Sequence, residues 1–406
     1  MTSSTKRWRF PLLLSGLFLM SQGNSLPSPV RDAAFLSWVP GFHMQFPVWH
    51  LIFTPFCSTA DYLTLLSLKQ AELFCAYLFI LLFVLLAMRR ALIGIGLFMV
   101  YVAWAILVPR PMGRLMAQDP DILLIDFHSH TQYSHDGRPS FTPADNMRWH
   151  QRQGYSASFI TDHNVVEASR IAKEISRQNW KETGYRSLEG EEASLYRTHL
   201  VVLGTHERVD NRPYDSDPRK IPVFVADMRK RGYPVIASIP EYWWYHWPTA
   251  PIGGDIDDFA RWGMEGFEIV NSAPKALDFP LAYRARVVQL CRTKNLFMTG
   301  ISDNHGYGYA TAAWNAIRLP DWRSMGPDEL EKAVLKHLKT QGFQAVQVLE
   351  RIKYFPKSAF QLIFSPLANV WVYWRSLQLS QTFSWICWIW LFAFVQSSWP
   401  SRIKNR

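Results

Sequence analysis

Residues 122–131 read Ile-Leu-Leu-Ile-Asp-Phe-His-Ser-His-Thr. The four apolar residues follow Asp119-Pro120-Asp121, a turn-type cluster, and read as a short buried strand. The His-x-His behind it places His128 and His130 on one side of an extended chain, because strand side chains alternate with a period of two. Alone, that pair is a weak signal. Its weight comes from what the rest of the chain repeats.

Outward from this strand, short apolar runs alternate with amphipathic ones. Ala157–Ile160, Leu200–Leu203, Pro234–Ala237, Gly266–Val270 and Leu296–Gly300 read as further buried strands, with Tyr185–Leu188 a weaker seventh. Val165–Gln178, Val223–Arg231, Ala282–Lys294 and Pro327–Thr340 read as helices; Pro327, Asp328 and Glu329 open the last one as a helix N-terminus should. Strand–helix alternation from 120 to 350 predicts a parallel α/β fold. His128 and His130 follow the first strand, Asp162 and His163 the second, Glu191 and Glu192 the next, Asp303 and His305 the last. Polar groups gathered past the C-terminal ends of several strands favour a barrel, where those loops share one face, over an open sheet with a single switch point.

Imidazoles with carboxylates suit Zn, Mn or Fe, and Cys291, the lone thiol of this region, excludes a thiolate site. The restrictive feature is the whole series: Asp126-Phe-His128-Ser-His130-Thr131, Ser134-His135-Asp136-Gly137, Thr161-Asp162-His163-Asn164, Gly190-Glu191-Glu192-Ala193-Ser194, Thr198-His199-Leu200 and Gly300-Ile-Ser302-Asp303-Asn304-His305-Gly306. Over about 120–310 it resembles the PHP (polymerase and histidinol phosphatase) superfamily of metal-dependent phosphoesterases. The resemblance implies a distorted (β/α)7 TIM-like barrel of PHP type holding two or three divalent metal ions. It implies that His128, His130, Glu192 and Asp303 hold one ion, that Glu192 bridges to a second held with His199, and that Asp136, His163 and His305 hold a third. Glu192 is preferred to Glu191 because the family's Gly-x-Glu-x-Ser matches Gly190–Ser194. The chain departs from the pattern after its fifth strand: Ala237-Ser238-Ile239-Pro240 stands where the family has His-Pro. Isoleucine cannot coordinate, which weakens the second ion; His246, in Glu241-Tyr-Trp-Trp-Tyr-His246-Trp247, reads as an aromatic-loop residue.

Such a site suits metal-assisted hydrolysis of a phosphorylated or ester substrate, with Asp162, Asp303 and His305 as candidates to manage protons and Arg138 and Arg197 to hold a phosphate. Hydrolysis of a carbonyl ester, amide or carbamate is the rival chemistry, and a non-catalytic metal- or ligand-binding protein the rival class. Asp126 and Asp162 read as groups that orient histidines. His135 reads as a loop residue, and His150, His206 and His337 as surface residues. Trp243-Trp244 fits a substrate lip, a membrane contact or packing equally.

The 406 residues carry 43 Lys+Arg, 33 Asp+Glu, 18 Trp and a net charge of +10. A composition 49% hydrophobic with 4 Cys excludes a disordered or disulfide-stapled chain. Divided by position, residues 1–119 hold +5, residues 351–406 hold +7 and residues 120–350 hold −2. The basicity belongs to the apolar ends, and a near-neutral central domain argues against nucleic acid as its partner. Ala71–Met88 and Ala91–Val108, with Arg89-Arg90 between them, each approach the roughly 20 residues of a membrane-crossing helix. Lys6–Arg9 followed by Phe10–Met20 has the layout of a signal peptide or first anchor. Residues 35–58, broken by prolines, read as interfacial, as does Ala359–Trp374; Leu379–Gln396 followed by Arg402, Lys404 and Arg406 reads as a last crossing. The expected organisation is therefore a membrane region (1–119), a catalytic domain (120–350) and a second membrane region (351–406) in the lipid bilayer. Basic groups placed on the cytoplasmic side put the catalytic domain outside the cytoplasm.

Overall fold

A computed structural model describes residues 3–195, 198–214, 216–239 and 256–398. Arg197, Pro240, Glu241, Trp243, Trp244, His246 and Arg402–Arg406 lie outside the described residues. In chain order the elements are α1 (Ser3–Gly23), β1 (Val30–Asp32), β2 (Phe42–Gln45), α2 (Val48–Ile52), α3 (Thr54–Leu63), α4 (Leu68–Leu85), α5 (Met88–Leu107), β3 (Arg114–Ala117), β4 (Ile122–Asp126), α6 (Pro143–Gln153), β5 (Ala157–Ile160) and α7 (Glu167–Thr183). They continue with β6 (Arg186–Leu195), β7 (Thr198–Leu203), α8 (Ile221–Lys230), β8 (Val235–Ala237), α9 (Ile256–Arg261), β9 (Gly266–Asn271), α10 (Leu281–Lys294), β10 (Phe297–Ile301), β11 (Ala313–Arg318), α11 (Pro327–Gln341), β12 (Gln347–Arg351), α12 (Ala359–Ile363), α13 (Ser365–Ser376) and α14 (Leu379–Ser398).

All seven strands expected from the apolar runs form, as β4 to β10, inside a ten-stranded sheet of order β1-β12-β11-β4-β5-β6-β7-β8-β9-β10. The sheet curls until the ends of β4 and β10 meet: Ser129 and Asn304 form a parallel bridge, the His130 N–H donates to Asn304 O at 2.9 Å, and the Asp303 N–H donates to His128 O at 3.0 Å. Farther down, β11 separates the two strands, and the Asn315 amide spans the gap. Its Nδ2 donates to Gly300 O (2.6 Å) and Ile125 O (2.9 Å), and its Oδ1 accepts from Gly300 N–H (2.7 Å). Gly300 is required there, because a Cβ would lie 2.6 Å from Val348 Cγ1.

The expectation of an all-parallel barrel needs correction. β7 runs antiparallel to both β6 and β8. Only residues 196–197 separate β6 from β7, and so short a connection permits a hairpin but no crossover. The weak seventh strand also runs on to Leu195, so Glu191 and Glu192 sit within it, opposite Val202 and Val201, and not in a loop beyond it.

The N-terminal region contributes to the same structure. β1 pairs with β12, and β2 pairs with β3, so residues 35–58, expected at an interface, hold a strand, a short helix and the start of α3, with His50 fully buried. α4 begins at Leu68, three residues earlier than expected, because Ser67 and Gln70 form a capping box. α5 begins at Met88, which moves Arg89 and Arg90 from the turn into its first helical turn. These two helices are long and apolar enough to cross a membrane, and little of either is buried. α14 forms over the expected last crossing and packs on α1, with Trp8 and Trp390 stacked at 5.8 Å.

Candidate metal centre

β4 is pinned at its C-terminal end by Asp126. Asp126 Oδ1 accepts from the N–H groups of Phe127 (2.9 Å) and Ser302 (3.1 Å), and Oδ2 pairs with His150 Nε2 (2.9 Å). One carboxylate thus fixes the backbone leading to His128 and the backbone leading to Asp303. His150, expected on the surface, is fully buried against it. Asp162 accepts from Thr131 N–H (2.6 Å) and Oγ1 (2.7 Å), which sets the chain just past His130. Asp303 itself has φ +47°, a conformation uncommon outside glycine that recurs at functional sites.

These anchors bring the expected ligands together. His128 Nε2 lies 3.0 Å from His130 Nε2, 3.0 Å from Glu192 Oε2 and 3.7 Å from Asp303 Oδ1. His130 Nε2 lies 3.2 Å from both Glu192 Oε2 and Asp303 Oδ1. Asp136 Oδ2 lies 3.1 Å from His305 Nε2 and 3.5 Å from His163 Nε2; Glu192 reaches His163 Nδ1 at 3.4 Å and His199 Nδ1 at 3.6 Å. His199 reaches the site because β7 is reversed: it sits at that strand's start, at the same end of the barrel as the other strands' C-termini. Among the described residues the donors converge as three groups: His128, His130 and Asp303; His163, Glu192 and His199; and His130, Asp136, His163 and His305. Every residue expected from the sequence falls in one of them; Glu192 groups with His163 and His199 and not with His128, His130 and Asp303, and His130 and His163 are each shared between two.

The donor spacing fits divalent ions. Two atoms each about 2.1 Å from one ion, at tetrahedral or right angles, are about 3.0–3.4 Å apart. His128 Nδ1 lies 2.9 Å from Glu268 Oε1, which turns Nε2 toward the cluster, and among the described residues His130 Nδ1 is buried without a hydrogen-bond partner. Nitrogen and oxygen donors without sulfur suit Zn, Mn or Fe.

Burial and mutual pairing dominate the electrostatics. Burial alone would discharge His128, yet the Glu192 and Asp303 carboxylates raise its pKa well above normal. Burial and the neighbouring His305 charge push His130 down to about 3. Glu192 and Asp303 lie well below the usual carboxylate range; burial opposes this, but the facing imidazoles outweigh it. His305 is raised to about 9: burial works against the charge, but Asp136 and Asp303 hold it. Burial lifts Asp162 to about 6.

Of the groups considered for protons, Asp303 and His305 border a cavity of about 220 Å³ that also contacts Asp136, Tyr307 and Tyr309. Asp162 does not line that cavity, and each of its carboxylate oxygens accepts a hydrogen bond from Thr131. Arg138 donates to Leu107 O at 2.8 Å and approaches Gly306 O at 3.4 Å. Glu191 points away from the cluster and accepts from Val209 N–H. Glu268 escaped the sequence reading. Fully buried in β9, it accepts from His128 Nδ1, Ser238 Oγ, Ile239 N–H and Asn271 Nδ2. The signal was present: a single carboxylate inside the apolar run Gly266–Val270 has to have partners. Ile239, where the resemblance expects a histidine, buries its side chain in the main core while its N–H holds Glu268. A further group, Glu189, His206 and Glu331, already encloses the Lys173 ammonium, 3.2 Å from Glu189 and 3.0 Å from Glu331, and is an ion-paired cluster.

No protein-family model matches the sequence, and no curated protein is significantly similar to it. Solved structures similar to the chain include a two-domain protein from Bacteroides vulgatus containing a predicted PHP-like metal-dependent phosphoesterase, at 18% identity and TM-score 0.39, covering 60% of this chain and 70% of that one. PsfC from Pseudomonas syringae aligns at 18% identity and TM-score 0.37, covering 61% and 98% of the two chains. An amidohydrolase from Chromobacterium violaceum aligns at 15% identity and TM-score 0.31, covering 56% and 98%. Likenesses this distant leave the functional reading to the site itself.

Proposed function

We propose that the chain is a membrane-bound, metal-dependent hydrolase acting on a phosphate ester. The observation that carries this reading is the convergence of His128, His130, His163, His199, His305, Asp136, Glu192 and Asp303 at ligand spacing on one end of the barrel. Divalent ions held by these groups would supply an activated water and neutralise charge developing on phosphorus. The chain's own residues do the rest. Glu268 fixes the tautomer and tilt of His128. Asp126 and Asp162 hold the two backbone segments that carry His128, His130 and Asp303. His305 and Asp303 border the cavity in which substrate would sit, placing an imidazole and a carboxylate within reach of a reacting oxygen. Arg138 steadies Gly306, next to His305, and keeps a positive charge at the rim.

In this reading α4 and α5 cross the bilayer as a hairpin. The bases of both helices pack on the barrel through the Gln70–Tyr354 and Gly308–Ile106 hydrogen bonds, and Arg89 and Arg90 lie at the far end. By the positive-inside rule that end is cytoplasmic and the barrel extracytoplasmic, which a topology reporter fused after Arg406 tests. The function is tested with His128→Ala/His130→Ala in the full chain. Bound divalent metal and turnover of p-nitrophenyl phosphate and bis-p-nitrophenyl phosphate fall together, with p-nitrophenyl acetate as the ester control. Unchanged metal content and turnover reject the reading.

A further inference from the structure

Two cavities meet at the rim of the metal centre. The first is the 220 Å³ space bordered by Asp303, His305, Pro274 and Tyr309. The second, of about 160 Å³, lies between α4 and α5, walled by Phe74 and Cys75 on one helix and Phe98 and Val102 on the other. The same Pro274 and Tyr309 line it too, so the apolar slot and the metal-site cavity are neighbours that share these two residues. The slot is comparable to the roughly 150 Å³ apolar cavity that takes up a benzene-sized molecule, enough for a short stretch of hydrocarbon chain. Outside it, α4 and α5 expose a continuous apolar surface, including Ile80, Val84, Leu97 and Val100.

Basic groups stand at the same site. A cavity of about 350 Å³ shares Trp149 and Tyr307 with the metal-site cavity and is lined by Arg138, Arg148 and Arg152, against the single carboxylate of Asp145. The metal-site cavity thus shares walls with both a guanidinium-lined cavity and an apolar slot. The end of α5 is fastened to the site loop itself: Gly308 N–H donates to Ile106 O at 2.6 Å, and Arg110 Nη1 donates to both Ala105 O and Gly308 O, at 2.5 and 2.6 Å. The hairpin is thus a wall of the site.

We infer that the substrate is a membrane lipid with a phosphate headgroup, its hydrocarbon chain seated between α4 and α5 and its phosphate ester at the metal centre. The inference rests on the hydrolase reading above and names its substrate class. It accounts for an apolar slot beside a charged site, which a soluble phosphoester would leave unused.

The test uses the full chain in detergent micelles and phosphatidic acid carrying a diazirine in one acyl chain. With metal removed, photolysis should label peptides of α4 and α5 that line the slot. Val102→Trp and Cys75→Trp, which fill the slot from either helix, should each reduce that labelling at least tenfold. Val100→Trp, on the outer face of α5, should leave it intact. In the metal-loaded protein, the ratio of phosphatidic acid turnover to p-nitrophenyl phosphate turnover should fall at least tenfold in the two slot variants and stay unchanged in Val100→Trp. Bound metal content at the wild-type level verifies that each variant is folded, and either slot variant alone suffices. Labelling spread over the outer helix faces and indifferent to the slot variants overturns the inference, even where p-nitrophenyl phosphate is hydrolysed and the hydrolase reading stands. Slot labelling with no turnover of any phosphate ester overturns the hydrolase reading instead.

Discussion

Arg110 is the residue whose loss should tell most about how the site is held. Its guanidinium is fully buried, as is its partner Asp61, at 2.9 Å. Nε donates to Asp61 Oδ1 at 3.0 Å, and Nη1 donates to Ala105 O and Gly308 O. One side chain therefore ties α3, the end of α5 and the loop that carries His305. Arg110→Leu removes all of these bonds and strands the Asp61 carboxylate, whose next cation, Arg351, is 3.8 Å away. Breaking a buried pair from one side costs about 3–5 kcal/mol, because the remaining charge stays desolvated. At about 2 °C per kcal/mol for a folded unit of this size, the thermal midpoint in detergent should drop by about 6–10 °C. The decisive measurement is a double-mutant cycle. Asp61→Asn alone should also destabilise, but Asp61→Asn/Arg110→Leu should be about 2–3 kcal/mol more stable than the sum of the single losses, since neither member of the pair then stays charged beside a missing partner and only Arg351 loses its carboxylate. Metal affinity should fall in Arg110→Leu, because Gly308 lies three residues beyond His305. Additive losses within about 0.5 kcal/mol, with metal affinity unchanged, would refute the clamp.

Other expectations rest on single contacts. Glu268→Gln should weaken metal binding about 10–100-fold by equilibrium dialysis, because His128 loses the carboxylate that receives its Nδ1 proton; wild-type affinity would remove Glu268 from the site. Lys173→Met should cost about 3–5 kcal/mol in chemical denaturation at neutral pH, since Glu189 and Glu331 stay buried without their cation, and the loss should shrink in acid as Glu331, whose pKa burial raises, takes up a proton. Gly300→Ala should cost about 1–3 kcal/mol by forcing Val348 away from the seam between β10 and β11; a neutral substitution there would mean that the seam is loose. Burial pushes the Lys353 ammonium down to about 8. Between about pH 8 and 10 the unfolded chain then holds more protons than the folded one, so Lys353 makes stability rise with pH. Lys353→Met should abolish that rise and add about 3 kcal/mol near pH 7, and an unaltered slope would sink the assignment.

Seven strands and the eight residues of the cluster were readable because each leaves a local mark: a short apolar run, with a polar group inside or beside it. What the sequence hid depends on partners far along the chain. β11 and β12 mix Asn315 and Glu350 into their runs, and neither makes sense as a buried residue until Gly300 and Arg284 arrive from elsewhere. α6 was missed although Thr142-Pro143-Ala144-Asp145 is a capping box, because its residues are too polar to show a stripe. His150 looked like a surface residue for the same reason, and Asp126, which claims it, stands 24 positions away. Ile239 makes the strongest case. Read as a sequence, the substitution of a ligand by an apolar side chain signals a weakened site. In three dimensions the segment keeps a role at the centre, since its N–H and the Ser238 hydroxyl hold the carboxylate that orients His128. A change that removes one ligand can thus leave the neighbouring ligands' support in place, because that support is drawn from the backbone. The loss of the imidazole bears on how many ions the centre holds, and His128 and its support are untouched by it. Metal stoichiometry and metal-dependent turnover are therefore separate questions for this chain, and a count of ions below three would leave the hydrolytic reading standing.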